Sequence, residues 1–194
     1  MELMNGDPKN PGRTLKITQR LESPVSEITG RRFSVIAKAN PEPKLMFLWG
    51  DLTLPIEGLP AGLNSLLGWM FAAATVMDLT FLDSKDPLAE EAFFFLDEPE
   101  TYLHPEWQRR ILPMAQQLFP NSQFFVATHS PFVVSSVNDG FIYKLTPDAQ
   151  GEVTISEAIP TSKGDSYITA VSEILGLSGP RQHAHADLQK LAKR

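Results

Sequence analysis

Three side chains that can do hydrolytic chemistry follow two short apolar runs of this chain. Asp97 and Glu98 come directly after the run Phe93–Leu96, and His129 follows the run Phe124–Ala127 after one intervening residue. Adjacent carboxylates can bind a hard cation such as Mg²⁺ and accept a proton from water, and a histidine can donate a hydrogen bond to an anionic group. These three side chains can act together only if both apolar runs end at the same place in the fold.

The elements around these residues follow a strand–helix–strand pattern. Phe93–Leu96 has the continuous apolar character of a strand that is buried on both faces of a parallel sheet. The segment between the runs predicts a helix with Pro105 in its first turn and a kink at Pro113. Its apolar face consists of Trp107, Ile111, Ala115 and Leu118. Parallel strands joined in this way open at their carboxyl ends onto one crevice, so we expect the three side chains to converge there.

The composition is that of a globular protein of one-domain size. The chain has 194 residues, of which 42% are hydrophobic and 21% are charged. A net charge of -6 gives no general attraction to nucleic acid, and the absence of cysteine excludes disulfides and thiolate metal sites. The N-terminus, MELMNGDPKNPGRT, lacks the apolar segment of a signal peptide, which predicts a cytoplasmic protein.

A long apolar stretch, Leu63–Leu82, has the length of a membrane span. Polar residues interrupt it and no cluster of Lys or Arg flanks either end, so we predict a buried core helix and no membrane contact. The interrupting residues are Asn64, Ser65, Asp78 and Thr80. The turn Glu57–Ser65, which leads into this helix, has two interpretations. Its free amides and the positive end of the helix dipole suit an anion, but an ordinary helix start fits equally well.

The first 30 residues are rich in turn formers and predict a loop with one short strand at Leu15–Arg20. Gly6–Thr14 has a faint likeness to a phosphate-binding loop. That interpretation fails because five residues separate Gly6 from Gly12 where the loop has about four, and Arg13 replaces its lysine. Two prolines also remove amide donors from this segment.

Two hairpins are predicted on either side of the central unit. Arg32–Ala37 and Lys44–Trp49 read as strands that pair through a turn-rich connection. Phe141–Leu145 and Glu152–Ser156 read as a second pair at the edge of the sheet.

Helices are predicted after the second apolar run. Ser130 and Pro131 are typical of a helix start and predict a short helix at Phe132–Val137. Tyr167–Leu175 predicts an amphipathic helix, and the remaining tail a solvated one. The two histidines of the tail lie at i and i+2, so they do not share a helical face and do not indicate a metal site.

The central part of the chain resembles a known family. An apolar strand that ends in Asp97-Glu98-Pro99-Glu100, followed by Leu103-His104-Pro105 and then by Thr128-His129-Ser130-Pro131, is similar to the C-terminal half of an ABC-type ATPase head. The RecF-like and SMC-like AAA ATPases, including overcoming-lysogenization-defect-type ATPases, are the most similar branch. The likeness covers Leu59–Leu145. It implies an α/β protein with a partial P-loop NTPase (ABC-ATPase-like) fold, a mainly parallel sheet, flanking helices and an antiparallel edge hairpin.

This resemblance implies catalytic roles for matched residues and ATP and Mg²⁺ as ligands. Phe93–Asp97 would be the Walker B strand, with Asp97 holding Mg²⁺ through water. Glu98 would be the general base that activates the attacking water. His129 would be the switch histidine that contacts the γ-phosphate.

The resemblance also implies two segments at a dimer interface. Glu100–Pro105, which includes His104, would be the D-loop. Leu59–Ser65 lies where the family has its signature motif, which reaches a nucleotide bound by the partner subunit. The nucleotide-contacting positions would be Leu59, Ala61, Gly62, Ser65 and His104. The family's usual serine is absent here, since Pro60 and Ala61 occupy these positions.

Two parts of a complete head have no counterpart in the sequence, because no stretch fits a Walker A loop or a glutamine loop. The chain therefore resembles half a head, from a truncated or split gene or as a remnant of the fold. We predict a loop-rich segment at 1–30, the C-terminal lobe of the head at 31–160 and a helical tail at 161–194.

Two functions remain open at this point. The first is an ATPase lobe that hydrolyses ATP once a Walker A-containing lobe completes it, with a role in DNA maintenance or phage defence. The second is a catalytically incomplete interaction module. The expected partners are an N-terminal ATPase lobe or a second head, with DNA or an effector nuclease as further candidates.

Overall fold

The computed structural model describes residues 17–38 and 44–161, which fall into two compact units divided between Thr128 and His129. The first unit contains a three-stranded antiparallel sheet, a long helix and a parallel pair of strands. Its elements, in chain order, are α1 (Glu22–Thr29), β1 (Phe33–Lys38), β2 (Lys44–Trp49), β3 (Leu52–Leu54), a 3₁₀ turn (Ile56–Gly58), α2 (Ala61–Thr80), a second 3₁₀ turn (Pro87–Ala89), β4 (Phe93–Asp97), α3 (Pro105–Gln108), α4 (Ile111–Leu118) and β5 (Gln123–Ala127).

Helix α1 shows that the prediction of a loop with a strand at Leu15–Arg20 is wrong for the described residues 17–30. Residues 17–19 are helical, and α1 follows after a short turn. Buried apolar residues recur there at helical spacing: Ile17, Leu21, Val25 and Ile28. The helix ends at Gly30, whose φ of 65° is a left-handed conformation that glycine adopts readily. Burial of this apolar stripe outweighs the turn-forming tendency of the Ser, Thr and Pro residues between.

Strands β1 and β2 form the predicted antiparallel hairpin, in which Phe33 lies opposite Trp49, and β3 pairs with the other edge of β2. Phe33 and Phe47 stack with their ring centroids 6.0 Å apart. Phe47 also lies 5.8 Å from Phe71 of α2, measured between ring centroids. This sheet therefore packs onto α2 through aromatic side chains.

Helix α2 is the predicted core helix. Its buried residues extend over its whole length and are Leu63, Leu66, Leu67, Met70, Phe71, Ala74, Thr75, Met77 and Asp78. Within the described ranges, no helix combines the length and the apolar character that a membrane crossing would need.

The central strand–helix–strand unit forms as predicted, because β4 and β5 pair in parallel and in register over their full lengths. The helical connection is broken into α3 and α4. Pro113 explains this break, since it has no amide hydrogen to donate to the carbonyl of Arg109 and its ring would clash with that carbonyl in a continuous helix. The helix is therefore interrupted completely where only a kink was predicted, and the interruption lies one turn before Pro113.

The two faces of the β4–β5 sheet have different environments. On one face Phe94 lies 4.8 Å from the fully buried Phe119 and 5.2 Å from Phe124, measured between ring centroids. On the other face Phe95 and Phe125 stack at 4.9 Å but are 77% and 45% exposed. The prediction that the first strand is buried on both faces is therefore wrong for the part of the chain described, where helices cover only one side. The exposed side, here called the open face, comprises Phe93, Phe95 and Phe125.

The described part of the second unit, residues 129–161, contains a short helix and two small antiparallel sheets. Its elements are α5 (Pro131–Val134), β6 (Phe141–Ile142), β7 (Leu145–Pro147), β8 (Val153–Ile155) and β9 (Ile159–Pro160). The hydroxyl oxygen of Ser130 accepts hydrogen bonds from the amides of Phe132 and Val133 at 3.2 and 3.3 Å, which is the predicted helix cap.

The predicted pairing of Phe141–Leu145 with Glu152–Ser156 is only partly correct: β7 pairs with β8, whereas Phe141 and Ile142 form β6, which pairs with β9. Within residues 44–161 these pairs are separate sheets that are not hydrogen-bonded to β4–β5, so the hairpin does not extend the parallel sheet. The α/β class is confirmed by this mixture of helices, a parallel pair and antiparallel hairpins. The predicted helix Tyr167–Leu175 and the helical tail lie outside the described residues.

The covered face and the open face of the β4–β5 sheet should respond differently to the loss of a ring. Phe119→Ala removes a fully buried ring and should lower the free energy of unfolding by about 3–5 kcal/mol. Phe95→Ala removes an exposed ring that contacts Phe125, and should cost about 1 kcal/mol or less. Chemical denaturation of the two variants measures both values. Equal losses would show that the open face is covered in the isolated chain.

Candidate active site

Asp97 is the last residue of β4 and lies directly opposite Ala127, the last residue of β5. Side chains alternate along a strand, so the carboxylate of Asp97 is on the same side of the sheet as Phe95. Asp97 is exposed. A ligand that approaches the carboxyl ends of the strands from the open face can therefore reach this carboxylate.

Glu98 leaves the strand in a left-handed conformation with a φ of 42°. Such a conformation is rare for residues other than glycine and costs about 1–3 kcal/mol, so the surrounding structure must hold it. The amide of Glu98 donates to the carbonyl oxygen of Ala127 at 2.9 Å. Its own carbonyl oxygen accepts hydrogen bonds from the amide and the hydroxyl of Thr101 at 3.1 and 2.8 Å. These bonds fix the backbone of Glu98, while its side chain is exposed.

The β4–α3 loop, Glu98–His104, contains most of Glu100–Pro105, the segment predicted to be the D-loop. Tyr102 is its second left-handed residue, with a φ of 66°. The amide of the buried Leu103 donates to the carbonyl oxygen of Glu100 at 2.9 Å. The side-chain amide of Gln108 donates to the carbonyl oxygen of Leu103 at 2.9 Å. The loop is thus folded on itself and bound to α3, while its action at a dimer interface stays a prediction.

Glu100 is a buried residue of this loop for which the sequence predicted no individual role. Its side chain is only 7% exposed, and its Oε1 accepts a hydrogen bond from the hydroxyl of Thr128. Thr128 directly follows β5, so this bond joins the β4–α3 loop to the end of the neighbouring strand. This hydrogen bond could not be predicted from the sequence, because glutamate is rarely buried and its partner is 28 residues away.

The predicted signature segment, Leu59–Ser65, begins directly after the first 3₁₀ turn and includes the start of α2 at Ala61. No side chain caps the start of this helix. The environments of the predicted contact residues differ: Leu59 is buried, Gly62 and Ser65 are half-buried, and Ala61 is exposed. An uncapped helix start fits both interpretations of the segment, so nucleotide contact by these residues stays a prediction.

Gly62 brings this segment against the β4–α3 loop. A Cβ atom at Gly62 would lie 2.7 Å from the carbonyl oxygen of Tyr102 and 3.5 Å from the ring of Trp107. Real Cβ atoms do not approach a backbone oxygen so closely, so a residue without a side chain is needed at this position. The first turn of α2 and the β4–α3 loop are therefore packed together within one chain, a contact that the resemblance did not imply.

His104 has a local structural role. Its Nδ1 accepts a hydrogen bond from the amide of Glu106 at 3.3 Å and so caps α3. The nucleotide contact predicted for His104 stays a prediction.

His129 is the first residue of the second unit and is exposed. It follows the last residue of β5 by two positions along the chain. The predicted convergence of His129 with Asp97 and Glu98 stays a prediction.

The donor set fits a metal ion that arrives with a nucleotide. Among the residues that the structure describes, no group of three or more His, Cys, Asp or Glu side chains could hold a metal ion by itself. Mg²⁺ in phosphoryl-transfer sites keeps several waters and takes only one or two carboxylates together with phosphate oxygens. Asp97, an exposed carboxylate at the end of a strand, meets that requirement.

Comparison with known proteins identifies relatives of this arrangement. Residues 50–135 match the family model of an AAA domain whose description links it to the AbiEii toxin and a type IV TA system. The chain is 26% identical over 155 residues to the Retron Ec83 probable ATPase of Escherichia coli, covering 73% of this chain and 29% of that protein. It is 31% identical over 84 residues to the Retron Vc95 probable ATPase of Vibrio cholerae serotype O1 biovar El Tor, covering 43% and 16%.

A further relative is the Septu protein PtuA of Bacillus mycoides (strain KBAB4), with 31% identity over 74 residues that cover 38% of this chain and 10% of that protein. The chain thus spans at most 29% of the length of these relatives.

Solved structures show the same fold. A structure from work on ATP-driven dimerisation and DNA-stimulated activation of SMC ATPases superposes with a TM-score of 0.58 at 16% identity, covering 86% of this chain and 96% of that one. The Smc head bound to the C-winged helix domain of ScpA gives a TM-score of 0.54 at 16% identity, covering 81% and 48%. The predicted partial P-loop NTPase fold is confirmed by these likenesses.

Gly62 and Gly68, both in α2, should respond in opposite ways to substitution by alanine. Gly62→Ala forces a methyl group against the carbonyl oxygen of Tyr102 and should lower the free energy of unfolding by about 1–3 kcal/mol. Gly68→Ala meets no described atom within 4 Å and should raise it by about 0.5–1 kcal/mol, because alanine favours a helix. Denaturant unfolding compares the two variants directly. A neutral or stabilising Gly62→Ala would contradict the contact between α2 and the loop.

Proposed function

We propose that this chain, which carries a partial ABC-type AAA ATPase domain, supplies the hydrolytic half of an ATPase head. One observation carries the proposal: Asp97 and Glu98 stand at the carboxyl end of β4, beside the end of a parallel strand. In open α/β sheets ligands bind beyond such strand ends. The family match supports a nucleotide as the ligand that binds at the carboxyl ends of β4 and β5.

In this proposal Glu98 is the general base. It accepts a proton from the water that attacks the γ-phosphorus of ATP, while the bond between that phosphorus and the bridging oxygen breaks to give ADP and phosphate. Asp97 would hold Mg²⁺ through water, and this ion would supply the positive charge that offsets the charge of the phosphates. His129 donates a hydrogen bond to the γ-phosphate. The exposure of Asp97, Glu98 and His129 supports these roles, since each must meet a ligand that comes from outside.

A second lobe must supply the contacts that hold the phosphates. The sequence contains no glycine-rich loop followed by lysine, and that loop provides most of the amides that bind the β- and γ-phosphates. The open face supports docking of such a lobe, because Phe93 and Phe95 are 68% and 77% exposed next to Asp97. We propose an N-terminal lobe with a Walker A loop as the occupant, on the same polypeptide or on another.

The wider role proposed is nucleotide-driven dimerisation in phage defence. Retron ATPase and Septu relatives support the defence setting, and the SMC structure described by its ATP-driven dimerisation supports pairing of two heads. The segment Leu59–Ser65 would then face the partner's nucleotide. DNA or an effector nuclease is the partner on which the closing of two heads would act.

The alternative function is an interaction module that binds its partner without turnover. The lack of a Walker A loop and of a signature serine favours it for the chain alone. The open face would serve docking in either case. The two functions differ in whether the completed assembly hydrolyses ATP through Glu98.

Glu98→Gln should separate these functions in the chain assembled with a Walker A-containing lobe. The substitution removes the proton acceptor and leaves the size of the side chain unchanged, so steady-state ATP hydrolysis should fall by about 100-fold or more while ATP binding persists. Phosphate release and nucleotide titration measure the two properties. The matched control is Glu91→Gln, the same change at an exposed position just before β4, which should leave both at the parental level.

Two results would count against the proposal. Unchanged hydrolysis in Glu98→Gln would remove Glu98 from the role of base. Binding of ATP without any hydrolysis in the parental assembly would favour the interaction module.

A further inference from the structure

Glu100 is a buried carboxylate whose hydrogen bonding is only half satisfied. Its side chain is 7% exposed, and its Oε1 accepts the hydroxyl hydrogen of Thr128. Its Oε2 is buried and has no hydrogen-bond partner among the residues that the structure describes. A buried charged group with an unsatisfied oxygen opposes folding, so an effect other than stability has to account for glutamate at this position.

The bond between Glu100 and Thr128 links the β4–α3 loop to the end of β5. A second link is the hydrogen bond from the amide of Glu98 to the carbonyl oxygen of Ala127, at 2.9 Å. The two links attach neighbouring points of the loop to consecutive residues of the second strand. Rotation of the loop about either link alone is therefore prevented.

The loop needs such restraint because two of its residues have positive φ. Glu98 and Tyr102 have φ values of 42° and 66°, and neither is a glycine. Each conformation is unfavourable by itself and persists only where surrounding contacts determine it. Glu98 lies two positions before Glu100, so release of Glu100 would loosen the loop and let the backbone of Glu98 return to a common conformation.

We propose that Glu100 is a positioning residue, which through its hydrogen bond with Thr128 holds Glu98 in its left-handed conformation at the end of β4. The catalytic meaning of this role rests on the proposed function, in which Glu98 is the base. The structural part stands by itself, because it concerns only the restraint of the loop. A carboxylate suits this role better than an amide, because a charged acceptor forms a hydrogen bond of about twice the usual strength.

Amide hydrogen exchange on the chain itself tests the restraint. The amides of Thr101 and Leu103 are hydrogen-bonded to carbonyl oxygens within the loop, so they report whether it stays folded. Thr128→Val removes the hydroxyl at nearly constant volume and should speed exchange at both amides by roughly ten- to hundredfold. Glu100→Gln keeps an acceptor but no charge and should give a smaller increase, which also provides a test if Thr128→Val fails to fold. Thr53→Val makes the same change at an exposed position of β3 and is the control.

The outcomes of this experiment are distinct. Faster exchange at the two loop amides in Thr128→Val or Glu100→Gln, with no change in Thr53→Val, supports the restraint. Exchange within about twofold of the parent in every variant that folds overturns it, since a hydrogen bond to a charged group is stronger than that.

Kinetics on the completed assembly test the catalytic part. Glu100→Gln should lower kcat for ATP hydrolysis by about tenfold with little change in KM, because Glu98 would be misplaced while the phosphate contacts remain. An unchanged kcat, or a raised KM alone, overturns the positioning role. A parental assembly without any hydrolysis would instead refute the proposed function, and the exchange result would still decide whether Glu100 restrains the loop.

Discussion

The parallel pairing of β4 with β5 is the constraint on which the rest of this structure depends. It places Asp97 opposite Ala127 and lets the amide of Glu98 bond to the carbonyl of that same alanine. Parallel strands need a crossover connection, and α3 and α4 form the connection that returns the chain to the start of β5 beside β4. The β4–α3 loop can then bond to Thr128 and pack on Gly62. The carboxylates are thus positioned by backbone pairing first and by side chains second.

The same pairing leaves the sheet incomplete on one side. A strand as apolar as β4 is typical of a sheet covered on both faces, yet here Phe95 and Phe125 are exposed on one face while Phe94 packs on Phe119 on the other. Asp97 belongs to the exposed side. The residues that would meet a nucleotide and the surface that would receive a second lobe are therefore contiguous, which links completion of the fold to completion of the site.

The sequence predicted those parts of the fold that depend on local pattern. The apolar runs predicted β4 and β5, with Asp97 and Glu98 at the end of β4, and Pro113 indicated the disturbed helix. Helix α1 was missed although Leu21, Val25 and the residues around them show helical spacing, because the turn formers between them dominated the interpretation. The burial of Glu100 could not be predicted, since it depends on a partner brought close only by the strand pairing. The exposure of one face of the β4–β5 sheet could not be predicted either, because an apolar run does not show whether one or both faces of its strand will be covered.

The most direct test of the central claim, that this chain holds one half of an ATPase site, is isothermal titration of the isolated chain with Mg-ATP. In the proposed site, Asp97 would bind the metal ion, Glu98 would be the base and His129 would offer a single imidazole, while no stretch of the sequence fits the loop that binds the β- and γ-phosphates. The account predicts no binding in the micromolar range for the chain alone, and binding that appears when a Walker A-containing lobe is added. Micromolar binding by the isolated chain would contradict it, because the chain would then hold a complete phosphate site of its own.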